Sequence, residues 1–222
     1  MKAWIGAAVL SASVTASWAA RADPIRILVA ASHSRGAPGE LPLLHAAADV
    51  EHVEGVLTSL GGFPGDDYRG GQMFMKVDGK KMLEDFVAAA TWLKSRPDCT
   101  GKIGATGFCF GGGVANSLAV RLGPDIGAAA PYYGAVPADD QIPKIKAAIL
   151  AHHGALDTRL ASTWPAYDKA LTAINVPHEG HIWPNSVHGF NCDATPERYN
   201  PEAATQAWSL TVGWFNKYVR AS

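Results

Sequence analysis

Three residues of this chain are suited by type and setting to covalent chemistry: Cys109, Asp157 and His188. Cys109 lies in Gly104-Ala-Thr-Gly-Phe-Cys109-Phe-Gly-Gly-Gly113, a cysteine between glycines where a strand gives way to a helix. This is the G-x-S-x-G spacing of a nucleophile elbow with cysteine in the serine position, a sharp turn that exposes the reactive side chain. Gly107 and Gly111 remove side chains that would collide with the strand and the helix on either side. The positive end of the following helix is expected to lower the thiol pKa. A nucleotide loop is disfavoured, because Gly111-Gly-Gly113 lacks the G-x-G-x-x-G spacing and no Lys-Ser/Thr pair follows.

A thiol nucleophile needs a base, and the base needs an orienting acid. Asp157 follows the apolar stretch 147–152 in a loop, and His188 follows the strand candidate 179–183 in the turn-rich segment Pro184-Asn-Ser-Val-His188-Gly-Phe190. The order nucleophile, acid, histidine is that of α/β-hydrolases. His188 would hold Cys109 as thiolate and later protonate the leaving group, and Asp157 would fix the imidazole tautomer. Each residue alone also has an ordinary role, Asp157 as the cap of a helix starting near Thr158 and His188 as a surface side chain.

The elements that must position these residues alternate strand and helix. Strands are expected at 25–30, 102–107, 126–133, 147–152 and 179–183, and helices at 79–95, after the elbow, from 164 and over 201–219. In the helix 79–95, Met82, Phe86, Ala89, Ala90 and Leu93 recur at helical spacing, with Asp78 before it and Pro97 beyond it. In the last helix Trp208, Val212, Phe215 and Val219 are expected on one buried side. The fold expected is a single α/β-hydrolase-type domain over 23–222, a mostly parallel sheet with helices on both faces and an N-terminal part shortened or divergent.

With 222 residues, 48% hydrophobic and 18% charged, the chain suits a globular enzyme. A net charge of −1 with no basic run argues against nucleic acid or an anionic membrane as partner. Residues 1–22 read as a signal peptide, with Lys2, an uncharged small-residue stretch, and Ala20-Arg-Ala22 as cleavage site. Export to the periplasm follows from that reading, a cytoplasmic location from its alternative, and a stable membrane span from neither. The three cysteines, Cys99, Cys109 and Cys192, have no C-x-x-C spacing. Cys99 and Cys192 are left open as a pair in an oxidising compartment. No metal is expected, since the histidines form no H-x-x-x-H helix pair and His152 and His153 would point to opposite faces of a strand.

The segments Gly107-Phe-Cys-Phe-Gly-Gly-Gly113, Pro131-Tyr-Tyr-Gly134, Leu156-Asp157, Trp164-Pro-Ala-Tyr167, His188-Gly-Phe190 and Thr195-Pro-Glu-Arg-Tyr199 resemble the dienelactone hydrolase family, the cysteine branch of the α/β-hydrolases. The resemblance runs from about residue 55 to the end. It implies hydrolysis of a small lactone or related ester through a cysteine acyl-enzyme, with no cofactor, and a monomer is favoured. The oxyanion hole would use the backbone N–H of Phe110 and that of Gly36, and Arg35, Tyr133 and Arg198 are candidates for holding substrate. Ahead of residue 55 the pattern departs from the family, with His33 of Ser32-His-Ser-Arg-Gly36 where a glutamate is expected. That departure leaves a second reading open, a catalytically impaired or non-catalytic small-molecule-binding protein on the same scaffold.

Overall fold

The computed structural model describes residues 26–31, 78–95, 99, 101–193 and 195–219. The expectations for 1–22, Arg35 and Gly36 lie outside these residues. Among the described residues five strands form one parallel sheet in chain order: β1 Arg26–Ala31, β2 Ile103–Phe108, β3 Ile126–Tyr132, β4 Ala148–Gly154 and β5 His178–Trp183. Between and after them lie α1 Gly79–Ser95, α2 Phe110–Leu122, the short α3 Thr158–Ala161, α4 Trp164–Ala173 and α5 Pro201–Tyr218.

Successive side chains of a strand point to opposite faces, and the central strands supply apolar residues to both. Ile103 and Ala105 of β2, Ala129 of β3 and Ile149 of β4 pack with Phe86, Ala90 and Leu93 of α1, Val114 and Leu118 of α2, and Tyr167 and Leu171 of α4. The alternate residues Ala128, Ala130, Ala148 and Leu150 pack on the other face against Trp214 and Phe215 of α5. The β3–β4 ladder is interrupted between Ala129 and Tyr132, where Pro131 has no N–H to give.

Helix ends follow local chemistry. Asp78 caps α1, its Oδ1 accepting the N–H groups of Lys80 at 2.9 Å and Lys81 at 3.3 Å. Asn200 caps α5 by accepting the Ala203 N–H at 3.2 Å, with Pro201 at the first helical position. The buried side of α5 matches the expected one at Phe215 and Val219, each 1% exposed, and differs from it at Trp208 and Val212. It carries Ala203, Ala204, Ala207, Thr211, Trp214 and Phe215, while Val212 is 43% exposed and Trp208 only partly buried. Trp214 and Phe215 pack on the alanines of β3 and β4, Ala203 and Ala207 pack with Tyr132, Trp183 and Phe190, and Val212 turns outward.

Among the described residues no helix is long and apolar enough to cross a membrane. No disulfide links Cys99, Cys109 or Cys192 among the described residues.

Candidate active site

Cys109 follows the last residue of β2 and precedes the first of α2. Its backbone is at φ 54° and ψ −114°, a conformation that L-residues other than glycine rarely adopt. The turn is fixed from several sides. The Cys109 N–H donates to the Tyr132 carbonyl at 3.0 Å, and the Cys109 carbonyl accepts from Gly112 at 3.0 Å and Gly113 at 3.2 Å. Behind the turn Gly112 and Gly134 meet backbone to backbone. A Cβ on Gly112 would lie 2.5 Å from the Tyr132 oxygen, and one on Gly134 would overlap the Gly112 carbonyl carbon and the Gly113 nitrogen. Gly134→Ala is therefore expected to destabilise the fold by at least about 3 kcal/mol, lowering the melting temperature by roughly 6–12 °C. A thermal melt within about 2 °C of wild type would show that helix and loop tolerate separation there.

The loops after β4 and β5 are held against each other. Ala155 N–H donates to the Trp183 carbonyl and Leu156 N–H to the Ser186 carbonyl, each at 2.9 Å. Gly154 makes this approach available, since a Cβ there would meet the Ser186 oxygen and lie 2.7 Å from that of Val187. The result brings together the three residues singled out from the sequence. His188 Nε2 is 3.1 Å from the Cys109 sulfur, and His188 Nδ1 is 2.6 Å from Asp157 Oδ2. Asp157 is buried and makes no side-chain cap to α3, so its carboxylate is directed at the histidine.

This geometry favours charge separation between sulfur and imidazole. The hydrogen bond from His188 is the largest influence lowering the Cys109 pKa below the ordinary thiol value; burial opposes it, and the His188 charge, the Phe110 N–H and the Arg159 charge add to the lowering. The hydrogen bond to Cys109 likewise raises the His188 pKa most, with burial opposing and Asp157 assisting.

The other expected contacts are distributed differently. The Phe110 N–H, the expected oxyanion donor, lies within hydrogen-bond reach of the sulfur. Tyr133 is not at an open rim: it is 3% exposed, with its ring edge-on to His188 at 5.1 Å and to Phe190 at 5.3 Å. Its backbone N–H, which donates to the His152 carbonyl at 2.6 Å, turns the residue inward at the strand end. Arg198 is 44% exposed and lies 3.9 Å from Glu197, a surface ion pair.

His152 and His153 do part to opposite faces. His152 Nε2 lies 3.1 Å from Thr211 Oγ1 on the α5 side, and its Nδ1 accepts from Trp183 Nε1 at 3.3 Å. His153 is 1% exposed with neither ring nitrogen partnered, and burial pushes its pKa down to about 4. Among the described residues no three or more His, Cys, Asp or Glu side chains gather to hold a metal ion.

One feature gave no signal in the sequence. A cavity of about 360 Å³ opens beside Cys109 between the start of α1, the first turns of α2 and the segment 135–137. Met82 and Phe86, read from periodicity as sheet-packing residues of α1, both contribute to its wall. Asn116 braces the opposite wall, donating to the Ala135 carbonyl at 2.9 Å and accepting from the Tyr167 hydroxyl at 3.2 Å.

Parallel strands covered on both faces and an elbow of this kind place the fold in the α/β-hydrolase class. Residues 64–219 match the family model described as the dienelactone hydrolase family, and the chain belongs to that family. Its sequence is 30% identical over 154 residues to a Yersinia pestis protein named "Putative carboxymethylenebutenolidase", covering 64% of this chain and 57% of that protein. The chain thus spans about half the length of the curated relatives it matches. Its fold is similar to the crystal structure of a "Putative Dienelactone Hydrolase" from Klebsiella pneumoniae, with a TM-score of 0.58 and 27% identity over 65% of this chain and 64% of that one. The dienelactone hydrolase of Anabaena variabilis is similar with a TM-score of 0.52 and 26% identity over 63% and 60% of the two chains.

Proposed function

We propose that this chain is a carboxylic ester or lactone hydrolase in which Cys109 is the nucleophile, His188 the general base and acid, and Asp157 the orienting acid. The observation that carries this reading is the continuous line of contacts from the Asp157 carboxylate through both nitrogens of His188 to the Cys109 sulfur. Family membership supports ester and lactone chemistry as the reaction class.

In the proposed reaction the Cys109 thiolate attacks the substrate carbonyl carbon, and the carbonyl electron pair moves to oxygen, facing the Phe110 N–H. The tetrahedral species collapses by breaking the bond between carbon and the alcohol oxygen, which takes a proton from the His188 imidazolium. Neutral His188 then takes a proton from water as its oxygen adds to the thioester carbon. Cleavage of the carbon–sulfur bond releases the carboxylic acid and returns the thiolate, with His188 again protonated. Asp157 stays ionised and holds Nδ1–H throughout.

The test is intact mass and peptide mapping of purified protein quenched within a turnover of p-nitrophenyl acetate, beside steady-state release of p-nitrophenol. The expected result is turnover with a transient acetyl group on the peptide carrying Cys109. Turnover without acylation of Cys109, or a folded protein without turnover, would overturn the proposal.

A further inference from the structure

We infer that the cavity between α1 and α2 is an acyl pocket, and that the substrate is an open-chain ester whose acyl part is uncharged and apolar. This rests on the hydrolase reading above and extends it to substrate class. Cys109 itself belongs to the cavity wall, so a carbonyl carbon bound to the sulfur has one substituent directed into it. Facing that substituent are Met82, Leu83, Phe86, Phe110, Val114 and Val136. Among the described residues no side chain in this wall carries a charge, and the hydroxyl of Ser117 is already spent on the Gly113 carbonyl at 2.9 Å. A carboxylate entering there would lose hydration without gaining a partner from these side chains, which is costly, whereas a hydrocarbon chain would gain from burial against them.

The geometry also says which half of the substrate enters. The alcohol oxygen must reach His188 Nε2 to be protonated, so the leaving group lies on the histidine side. His188, Tyr133, Phe190 and Asp157 contribute nothing to the cavity wall. The described wall therefore includes the nucleophile and not the base, which suits the acyl substituent rather than the leaving group. In a small lactone the acyl and alcohol halves are tied in one ring, which leaves this space unfilled; an open-chain ester fills it. A volume of about 360 Å³ is at the small end of the roughly 300–1,000 Å³ found for small-molecule sites, which suits a short to medium chain.

The experiment compares kcat/KM for p-nitrophenyl acetate, butanoate, pentanoate, hexanoate and decanoate, and for the p-nitrophenyl monoester of glutaric acid, whose acyl chain has the length of pentanoate but ends in a carboxylate. Wild type is expected to gain about twofold to fourfold per methylene up to hexanoate, to gain nothing further at decanoate, and to hydrolyse the glutarate ester at least about tenfold more slowly than pentanoate. Val136→Trp and, independently, Met82→Trp should each reduce the hexanoate-to-acetate ratio by about tenfold or more. Two different walls are altered so that misfolding of one variant does not decide the question. Turnover of acetate with no gain on lengthening, or with glutarate as good as pentanoate, would overturn the acyl pocket and leave the hydrolase reading standing. A folded protein that turns over none of these esters would overturn both.

Discussion

Replacing Cys109 by alanine is expected to lower kcat/KM for an activated ester by at least about 10⁴-fold and to leave the melting temperature nearly unchanged. Alanine suffers the same backbone conformation as cysteine, and the hydrogen bonds that fix the turn come from main-chain atoms. What is lost is the sulfur 3.1 Å from His188. Serine at this position should recover little, since an alkoxide is far harder to form than a thiolate. The wild-type pH profile gives a second reading of the same pair. The thiolate exists above the lowered Cys109 pKa and the imidazolium below the raised His188 pKa, so activity should rise through the first and fall through the second. The two limbs report the pair jointly. Alkylation of Cys109 by iodoacetamide should follow the acid limb and persist below the pH at which an ordinary thiol ceases to react. An alanine variant retaining a tenth or more of wild-type activity would sink the nucleophile assignment.

Asp157→Asn is expected to lower kcat by about 10²–10⁴-fold with a much smaller change in KM. The amide matches the carboxyl in size, so the buried site stays filled. Its consequence is electrical and directional. An amide NH₂ facing Nδ1 favours the tautomer with the proton on Nε2, which then points N–H at the sulfur and cannot accept its proton. Loss of the carboxylate also removes one of the influences that raise the His188 pKa, so the alkaline limb should move to lower pH. Steady-state kinetics across pH would check both effects. A loss below tenfold with an unmoved alkaline limb would leave Asp157 as a packing residue.

Much of this arrangement is readable in the residues, for specific reasons. The elbow is visible because its steric demands fix glycines at set offsets from Cys109, and helix α1 because Asp78 caps it and its apolar residues repeat cleanly. The loops carrying Asp157 and His188 are visible because apolar strands end in turn-forming residues just before them. The buried side of α5 is legible only in its last turns, where Phe215 and Val219 are buried as expected; in the earlier turns the buried positions are held by Ala203, Ala204, Ala207 and Thr211 while Val212 faces outward. Periodicity weighs bulk, and in those earlier turns the contact is made by small residues. Tyr133 illustrates a different limit. Its place at a strand end suggests a rim, yet a backbone φ of 36° turns it inward beneath His188. The acyl cavity is invisible for a third reason: its walls come from α1, α2 and the segment after β3, and only tertiary packing tells which edge of an amphipathic helix borders a void.

The backbone at Cys109 sets stability against use. At φ 54° and ψ −114° glycine would sit without complaint, whereas any residue with a Cβ carries a cost of about 1–3 kcal/mol. A lineage that no longer needed a reactive sulfur would find in glycine an immediate and favourable exit, one mutation that steadies the domain while ending its chemistry. In the proposed reading the residue is kept there for its sulfur, 3.1 Å from His188, at the expense of that stability.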